Sequence, residues 1–198
     1  LKEDIAPLYL PPKFKTVVET DNGIRADTTL EKMASLRPVF DRKHGTVTAA
    51  TSSPLTDGAS AVMLMSEDKA RAEGFEPLAY VCSYAFSAID PRGQLLQGPA
   101  YAAPIALDRA GITMKEIGLM EMHEAFAAQV LSNLQGLASK KFAQKELGRS
   151  EAVGHPDPDV INVMGGSIAI GHPFGATGGR VTTTLAREMG RRDVQFGL

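Results

Sequence analysis

Apolar and polar positions along the chain fall into two kinds of pattern. Strand-like runs come first: a short β-like run at residues 45–50, an almost wholly apolar run at 59–65, and a stretch in which Tyr80, Cys82, Tyr84 and Phe86 alternate with smaller residues. Further on, residues 117–122 read as a buried strand, and Val160, Ile161, Val163, Ile168 and Ile170 suit another. Helical stripes alternate with them. Leu30, Met33 and Leu36 predict a short helix capped by Thr28 or Thr29 and ended before Pro38. Ser66 is placed to cap a second, with Glu67 and Asp68 in its positive first turn and Gly74 past its end. Residues 99–110 predict a third, ended by Gly111, and Phe126, Val130, Leu134 and Leu137 form the stripe of a fourth. Val181, Leu185 and Met189 mark a last one. Residues 1–40, with four prolines and no sustained period, read as an irregular excursion, and the segment 139–159 is charged and contains Pro and Gly, which leaves His155, like His44, as a surface histidine.

Chemistry concentrates where strand-like runs meet helical ones. Residues 162–180 carry an apolar run into a glycine-rich turn holding His172, which predicts strand, turn, then helix, with the histidine at the junction. Side chains at the carboxyl end of a strand in an open α/β sheet project into the crevice where ligands usually sit. Gly171, Gly175, Gly178 and Gly179 permit close approach of another chain or a ligand, and Pro173 stiffens the turn. A phosphate loop is excluded, because His172 and Pro173 follow Gly171 where Lys and Ser or Thr are needed, and no dinucleotide fingerprint occurs. What remains is a tight turn with a satisfied histidine, or a histidine that moves protons or bonds a developing anion.

His123 and Glu124 repeat the arrangement at the end of the run 117–122. The helical zinc motif would require a second histidine at position 127, which is Ala127, so no metal is expected. The bland alternative keeps His123 as a polar helix-start residue and Glu124 as an acid in a first helical turn.

Composition narrows the class. With 198 residues, a formal net charge of -2 and 43% hydrophobic content, the chain has room for a core and offers no basic surface for nucleic acid. No run reaches the ~18 consecutive apolar residues of a membrane span, so membrane association is not indicated, and no leader is evident. The single cysteine, Cys82, makes an internal disulfide impossible and fits a reducing compartment. Its place inside a predicted strand gives it a packing role rather than a nucleophile's. The start at Leu1 and the apolar residues that close the chain lead to the expectation that it is a piece of a longer protein.

Three segments together, residues 51–58, the run His123-Glu-Ala-Phe-Ala127, and residues 162–180 with their Gly-His-Pro-x-Gly-Ala-x-Gly turn ending at Gly178, resemble the thiolase family over essentially the whole chain. The resemblance implies an α/β, layered αβαβα fold made of two similar halves around shared central helices, present here in part. Residues 1–44 would be the tail of the family's loop region, 45–76 the last strand and helix of its first half, and 77–198 most of its second half. It implies an acyltransferase that cleaves 3-ketoacyl-CoA with CoA to acetyl-CoA and a shortened acyl-CoA, through an acyl group carried on a cysteine.

Under that resemblance His172 takes the thiol proton and supports the thioester oxygen, because only the thiolate attacks and an imidazole titrates near neutrality. His123 stands where many biosynthetic members carry Asn. Histidine there resembles the thiolase (β) subunit of the trifunctional complex of fatty-acid β-oxidation, whose partner subunit supplies hydratase and dehydrogenase steps. Either side chain serves an oxyanion. Glu124 orients its neighbours, Ala125 and Phe126 line the acyl-CoA channel, Ser53 meets the pantetheine of CoA, and Asn162, Gly171 and Gly175 support the oxyanion turn. Thr51 and Pro54 depart from the family's usual residues around Ser53. Both catalytic cysteines are expected outside residues 1–198, neither being Cys82, and the chain alone is expected to be inactive.

Two rivals are weighed. A ketoacyl-synthase-like condensing enzyme has a related histidine turn, but its other histidine precedes Gly-Thr, whereas Ala125-Phe126 follows Glu124 here. A non-catalytic acyl-CoA-binding or scaffolding remnant would keep His172 and Ser53 without the thiols. Besides acyl-CoA and CoA, with no cofactor beyond CoA as substrate, the implied partners are a second copy in a dimer or tetramer and the hydratase/dehydrogenase subunit. The implied compartment is bacterial cytoplasm or mitochondrial matrix.

Overall fold

The computed structural model describes residues 4–198. Its helices begin where the sequence supplies caps. Thr29 accepts the amide of Lys32 at the start of α1 (Leu30–Ala34), and Ser66 accepts that of Lys69 at the start of α2 (Glu67–Glu73), which Gly74 closes in the left-handed conformation. Gly111 closes α3 (Gly98–Ala110) in the same way. Then follow α4 (Ala127–Ala138), α5 (Lys140–Glu146), the one-turn α6 (Ser167–Ile170) and the long α7 (Gly175–Arg192).

The core lies between α3, α4 and a central extended segment. Ala100, Leu107, Met114, Met120, Met122 and Leu137 are buried together, with Val130, Leu134, Phe142, Ile161 and Leu198 packed around them. Helices α3 and α4 are also joined by a polar clamp. The fully buried Asn133 of α4 accepts the Ala100 amide at 3.0 Å, sharing it with the Gln97 carbonyl, and donates to the carbonyl of Leu96, so the start of α3 is tied to the neighbouring helix.

The central segment, 118–122, is paired on both sides in parallel. Met120 donates to the Val160 carbonyl at 2.9 Å and its own carbonyl accepts from Asn162, while Glu121 and Gly118 donate to the carbonyls of Leu198 and Phe196. The buried strand read at 117–122 is therefore an extended, doubly paired segment whose contacts are single residue pairs rather than a long ladder. Among the described residues the regular strands are instead β1 (Leu8–Leu10) and β2 (Thr16–Val18), an antiparallel hairpin within the stretch read as irregular.

Four strand expectations are corrected. In the run 45–50, the hydroxyl of Thr48 accepts the Ala50 amide and that of Thr51 accepts the Thr48 amide, which folds residues 49–51 into a 3-10 turn; local side-chain bonds outcompete a ladder there. Residues 59–65 form no regular element, and no backbone hydrogen bond joins them to another described segment. Residues 78–86 likewise form no strand. The alternation in sequence has no counterpart in burial, since Tyr80, Cys82, Tyr84 and Phe86 are exposed, as is Val81 between them, while Ser83 turns inward to donate to the carbonyl of Ala106. Cys82 thus has no packing role. Finally, the run through Ile168 and Ile170 is broken by Gly165, at φ 91°, and enters α6, so His172 follows a helical turn rather than a strand. The charged segment 139–159 contains α5, and His155 in it is exposed.

Candidate active site

His123 leaves the paired central segment four residues before α4 begins, so neither it nor Glu124 lies in the helix's first turn. Asn162 fixes this exit. Its backbone sits at φ 48°, a left-handed conformation that asparagine tolerates better than most residues. From there its carboxamide accepts the Met122 amide at 2.8 Å and donates to the Met122 carbonyl at 2.9 Å, continuing the strand-like pairing with a side chain. The same amide nitrogen donates to Glu124 Oε1 at 2.7 Å. Glu124 Oε2 in turn accepts the Ile168 amide at 3.1 Å, tying α6 to the loop of His123. A side chain at Gly166 would overlap this carboxylate, which explains the glycine.

The second histidine is held from the other side. Gly171 closes α6 at φ 100°, and a Cβ there would run into Thr56. The His172 amide donates to the carbonyl of Pro54 at 2.9 Å, and Ser60 Oγ donates to the Ala176 carbonyl at 2.6 Å. Ser53 meanwhile donates its amide to the Ala125 carbonyl at 3.0 Å, and Ser52 lies opposite Phe126. Residues 52–60 therefore run across both histidine-bearing loops, and the three segments singled out in the sequence meet in one place.

At their meeting point the two imidazoles stack, with ring centres 4.0 Å apart and planes inclined by 28°. Each ring is oriented by a hydroxyl. His172 Nδ1 lies 2.8 Å from Thr177 Oγ1, and His123 Nδ1 lies 2.8 Å from Ser167 Oγ, which also accepts from Arg180 Nη2 at 2.9 Å. Phe174, largely exposed, tilts against His172, and Phe126 meets Phe40 edge to face. Gly175 begins α7 with open space where a side chain would be.

Burial pulls the pKa of His123 below that of an ordinary imidazole, and the neighbouring His172 and Arg180 pull it further against the opposing charge of Glu124. His123 is thus neutral at neutral pH. Burial also pushes Glu121 up to about 7, against Arg180, whose charge favours the carboxylate; Glu124 and Glu188 add to the rise. Glu121 Oε2 and Arg180 Nε are both buried without a hydrogen-bond partner among the described residues. Stacked imidazoles backed by a carboxylate can exchange a proton with a nearby nucleophile and donate to a developing oxyanion.

The structure brings His123, His172, Glu124, Asn162, Gly171, Ala125, Phe126 and the Ser53 backbone into one region. A shallow concavity lined by Phe86, Tyr101, Pro104 and Leu147 includes none of them. Ser167, Thr177 and Arg180 were not singled out by the sequence reading. Ser167 and Thr177 are buried hydroxyls, but their burial follows from contacts distant in sequence.

This fold and paired-histidine site define the chain as a member of the thiolase family. The thiolase C-terminal domain model matches residues 75–198, and the thiolase N-terminal domain model matches residues 1–68. More particularly, the chain is 55% identical over its full length to the 3-ketoacyl-CoA thiolase of Shewanella sediminis (strain HAW-EB3), of which it covers 45%, and 56% identical to that of Yersinia enterocolitica (serotype O:8 / biotype 1B, strain NCTC 13174 / 8081), again over 45%. The Bacillus anthracis acetyl-CoA acetyltransferase superposes on it with a TM-score of 0.82 at 36% identity, over 98% of this chain and 45% of that one. Human mitochondrial 3-ketoacyl-CoA thiolase in complex with CoA does so with a TM-score of 0.76 at 32% identity, over 97% and 43%. The chain thus spans a little under half the length of the curated relatives it matches. The condensing-enzyme alternative gives way to these matches.

Proposed function

We propose that this chain supplies the histidine side of a thiolase active site, acting in thiolytic cleavage of 3-ketoacyl-CoA. The observation that carries this is the stacked His123–His172 pair at 4.0 Å beneath the segment of Ser53. In the reaction, a cysteine thiolate from outside these 198 residues adds to the 3-keto carbon. The bond between C2 and C3 then breaks, and its electron pair leaves as the enolate of acetyl-CoA, which takes up a proton. CoA sulfur next displaces the cysteine from the acyl thioester. His172 accepts the thiol proton in each half and returns it; His123 donates to the enolate oxygen. Glu124 and Asn162 hold the loop of His123, Phe126 and Ala125 line the acyl-CoA path, and Ser53 meets pantetheine.

Histidine rather than asparagine at position 123 favours the degradative subunit of fatty-acid β-oxidation, acting with a hydratase/dehydrogenase partner in bacterial cytoplasm or mitochondrial matrix. The relatives named 3-ketoacyl-CoA thiolase support that direction. No helix among the described residues is long and apolar enough to cross a membrane.

The test is thiolysis of a 3-ketoacyl-CoA by the longest natural polypeptide that carries this sequence. Turnover is expected, lowered ~10²–10⁴-fold by His172→Ala, the range of a lost general base. The isolated 198-residue chain is expected to release no acyl-CoA. Full activity in the His172→Ala protein would overturn the proposal.

A further inference from the structure

Imidazole has two tautomers, and the one present is set by what its other nitrogen meets. Ser167 is fully buried, at 0% exposure, so its hydroxyl proton needs an acceptor inside the protein. One lone pair of Ser167 Oγ already accepts from Arg180 Nη2 at 2.9 Å. The acceptor available to its O–H among the described residues is His123 Nδ1, at 2.8 Å. A hydroxyl that donates to Nδ1 leaves that nitrogen unprotonated and places the proton of a neutral ring on Nε2.

We propose that Ser167, itself oriented by Arg180, is the positioning residue that locks His123 as the Nε2–H tautomer, so that this ring presents a donor, not a base, beside His172. Thr177 Oγ1, 2.8 Å from His172 Nδ1, receives no such cationic donor among the described residues, so the two rings are not held alike: His123 is fixed to give a hydrogen bond while His172 keeps the freedom to take a proton. Arg180 is suited to the task because its guanidinium stays cationic and can only donate, so Ser167 Oγ cannot reverse its direction. Partly buried, it is held by the opposite charges of Glu121, Glu124 and Asp21. The sequence places the three residues far apart, His123 being 44 positions from Ser167. Their union depends on α6, whose first residue is Ser167 and whose second amide is fixed by Glu124.

The proposal rests on the thiolase reading only for the use made of the donor; the tautomer follows from the hydrogen bonds of Ser167 alone. Nitrogen-15 NMR of the longest natural polypeptide carrying this sequence, with labelled histidine and the His123 signals assigned by their loss in His123→Asn, is expected to show His123 unprotonated at Nδ1 and protonated at Nε2. In Ser167→Ala the Nδ1–H form is expected to rise, shifting the tautomer ratio by roughly fivefold or more, the equivalent of one hydrogen bond. Arg180→Met should give part of that shift, and Arg180→Gln, which keeps a donor toward Oγ, should restore the original ratio. A purely structural Ser167 would move stability and leave the ratio alone. A proton on Nδ1 in the unaltered protein, or an unchanged ratio in Ser167→Ala, overturns the proposal; should that variant not fold, the unaltered spectrum and Arg180→Met still decide. Absence of thiolysis with the expected tautomer would sink the functional reading and leave this one standing.

Discussion

Residues 117–122 and 78–86 carry the same kind of strand-like apolar pattern and end in opposite circumstances. The first is paired in parallel with residues 160–162 on one side and 196–198 on the other, and it buries Leu119 and Met120 to 2% and 3% exposure. The second is paired with nothing comparable, and Tyr80 and Phe86 stand 61% and 88% exposed. Pattern sets which residues share a face; it does not supply the neighbouring strand. The candidate chemistry follows the pairing, because His123 and Glu124 leave the end of the paired segment, where Asn162 can clamp them, whereas Cys82 sits exposed in the unpaired one.

The sharpest way to test the difference is to empty the paired segment. Met120 packs in the central core, so Met120→Ala removes buried methylenes and leaves a cavity between α3, α4 and Ile161. A loss of about 2–5 kcal/mol is expected in denaturant unfolding. The damage should reach the site, because the same residue gives its amide to Val160 and its carbonyl to Asn162. A loss below about 1 kcal/mol would mean that this segment is no more essential than the exposed one.

How much was legible follows the same line. Helix ends were, since caps are local: Thr29, Ser66, Gly74 and Gly111 act within a few residues of where they stand. Strands were legible only at 117–122, because a ladder needs a partner distant in sequence, and at Thr48 a local hydroxyl won instead. The hairpin of β1 and β2 escaped notice because both strands are exposed and so leave no buried stripe. Helix α6 was misread because its β-branched Ile168 and Ile170 favour a strand, while Glu124 and the flanking glycines impose a turn of helix. In the site, the histidines, Glu124 and Asn162 stood in recognisable runs. Ser167, Thr177 and Arg180 gain meaning only once two loops are brought together, which no spacing reveals.

A smaller effect separates the two regions by pH. Glu121, at the buried end of the paired segment, has its carboxyl raised from 4.5 to about 7, so the folded chain binds that proton more tightly than the unfolded one. Its contribution is therefore full below about pH 4.5 and is lost as pH rises through 7. His123 works in the other direction: its lowered pKa means that stability falls as pH drops below the ordinary imidazole value of ~6.5. Glu121→Gln should flatten the alkaline limb and leave the acid limb. The gain at pH 8 should be on the order of 1 kcal/mol, because the group is only partly shielded from solvent. Equal alkaline slopes for both proteins would show that Glu121 is not held protonated.

The least effect is expected in the unpaired stretch, and it is the one that most directly breaks the comparison if it fails. Phe86 touches Tyr84 edge to face with ring centres 5.7 Å apart and is otherwise 88% exposed. Phe86→Ser therefore removes little that folding had buried, and its unfolding midpoint should move by no more than about 0.5 kcal/mol in stability terms. The exposed aromatics Tyr80, Tyr84 and Phe86 form an apolar surface that water must cover, so the substitution should also make the chain less prone to self-association. Were Phe86→Ser to cost 2 kcal/mol or more in a monomeric sample, the ring would have to be packed against something in the folded state. The stretch 78–86 would then be a partnered strand after all, and its contrast with 117–122 would be lost.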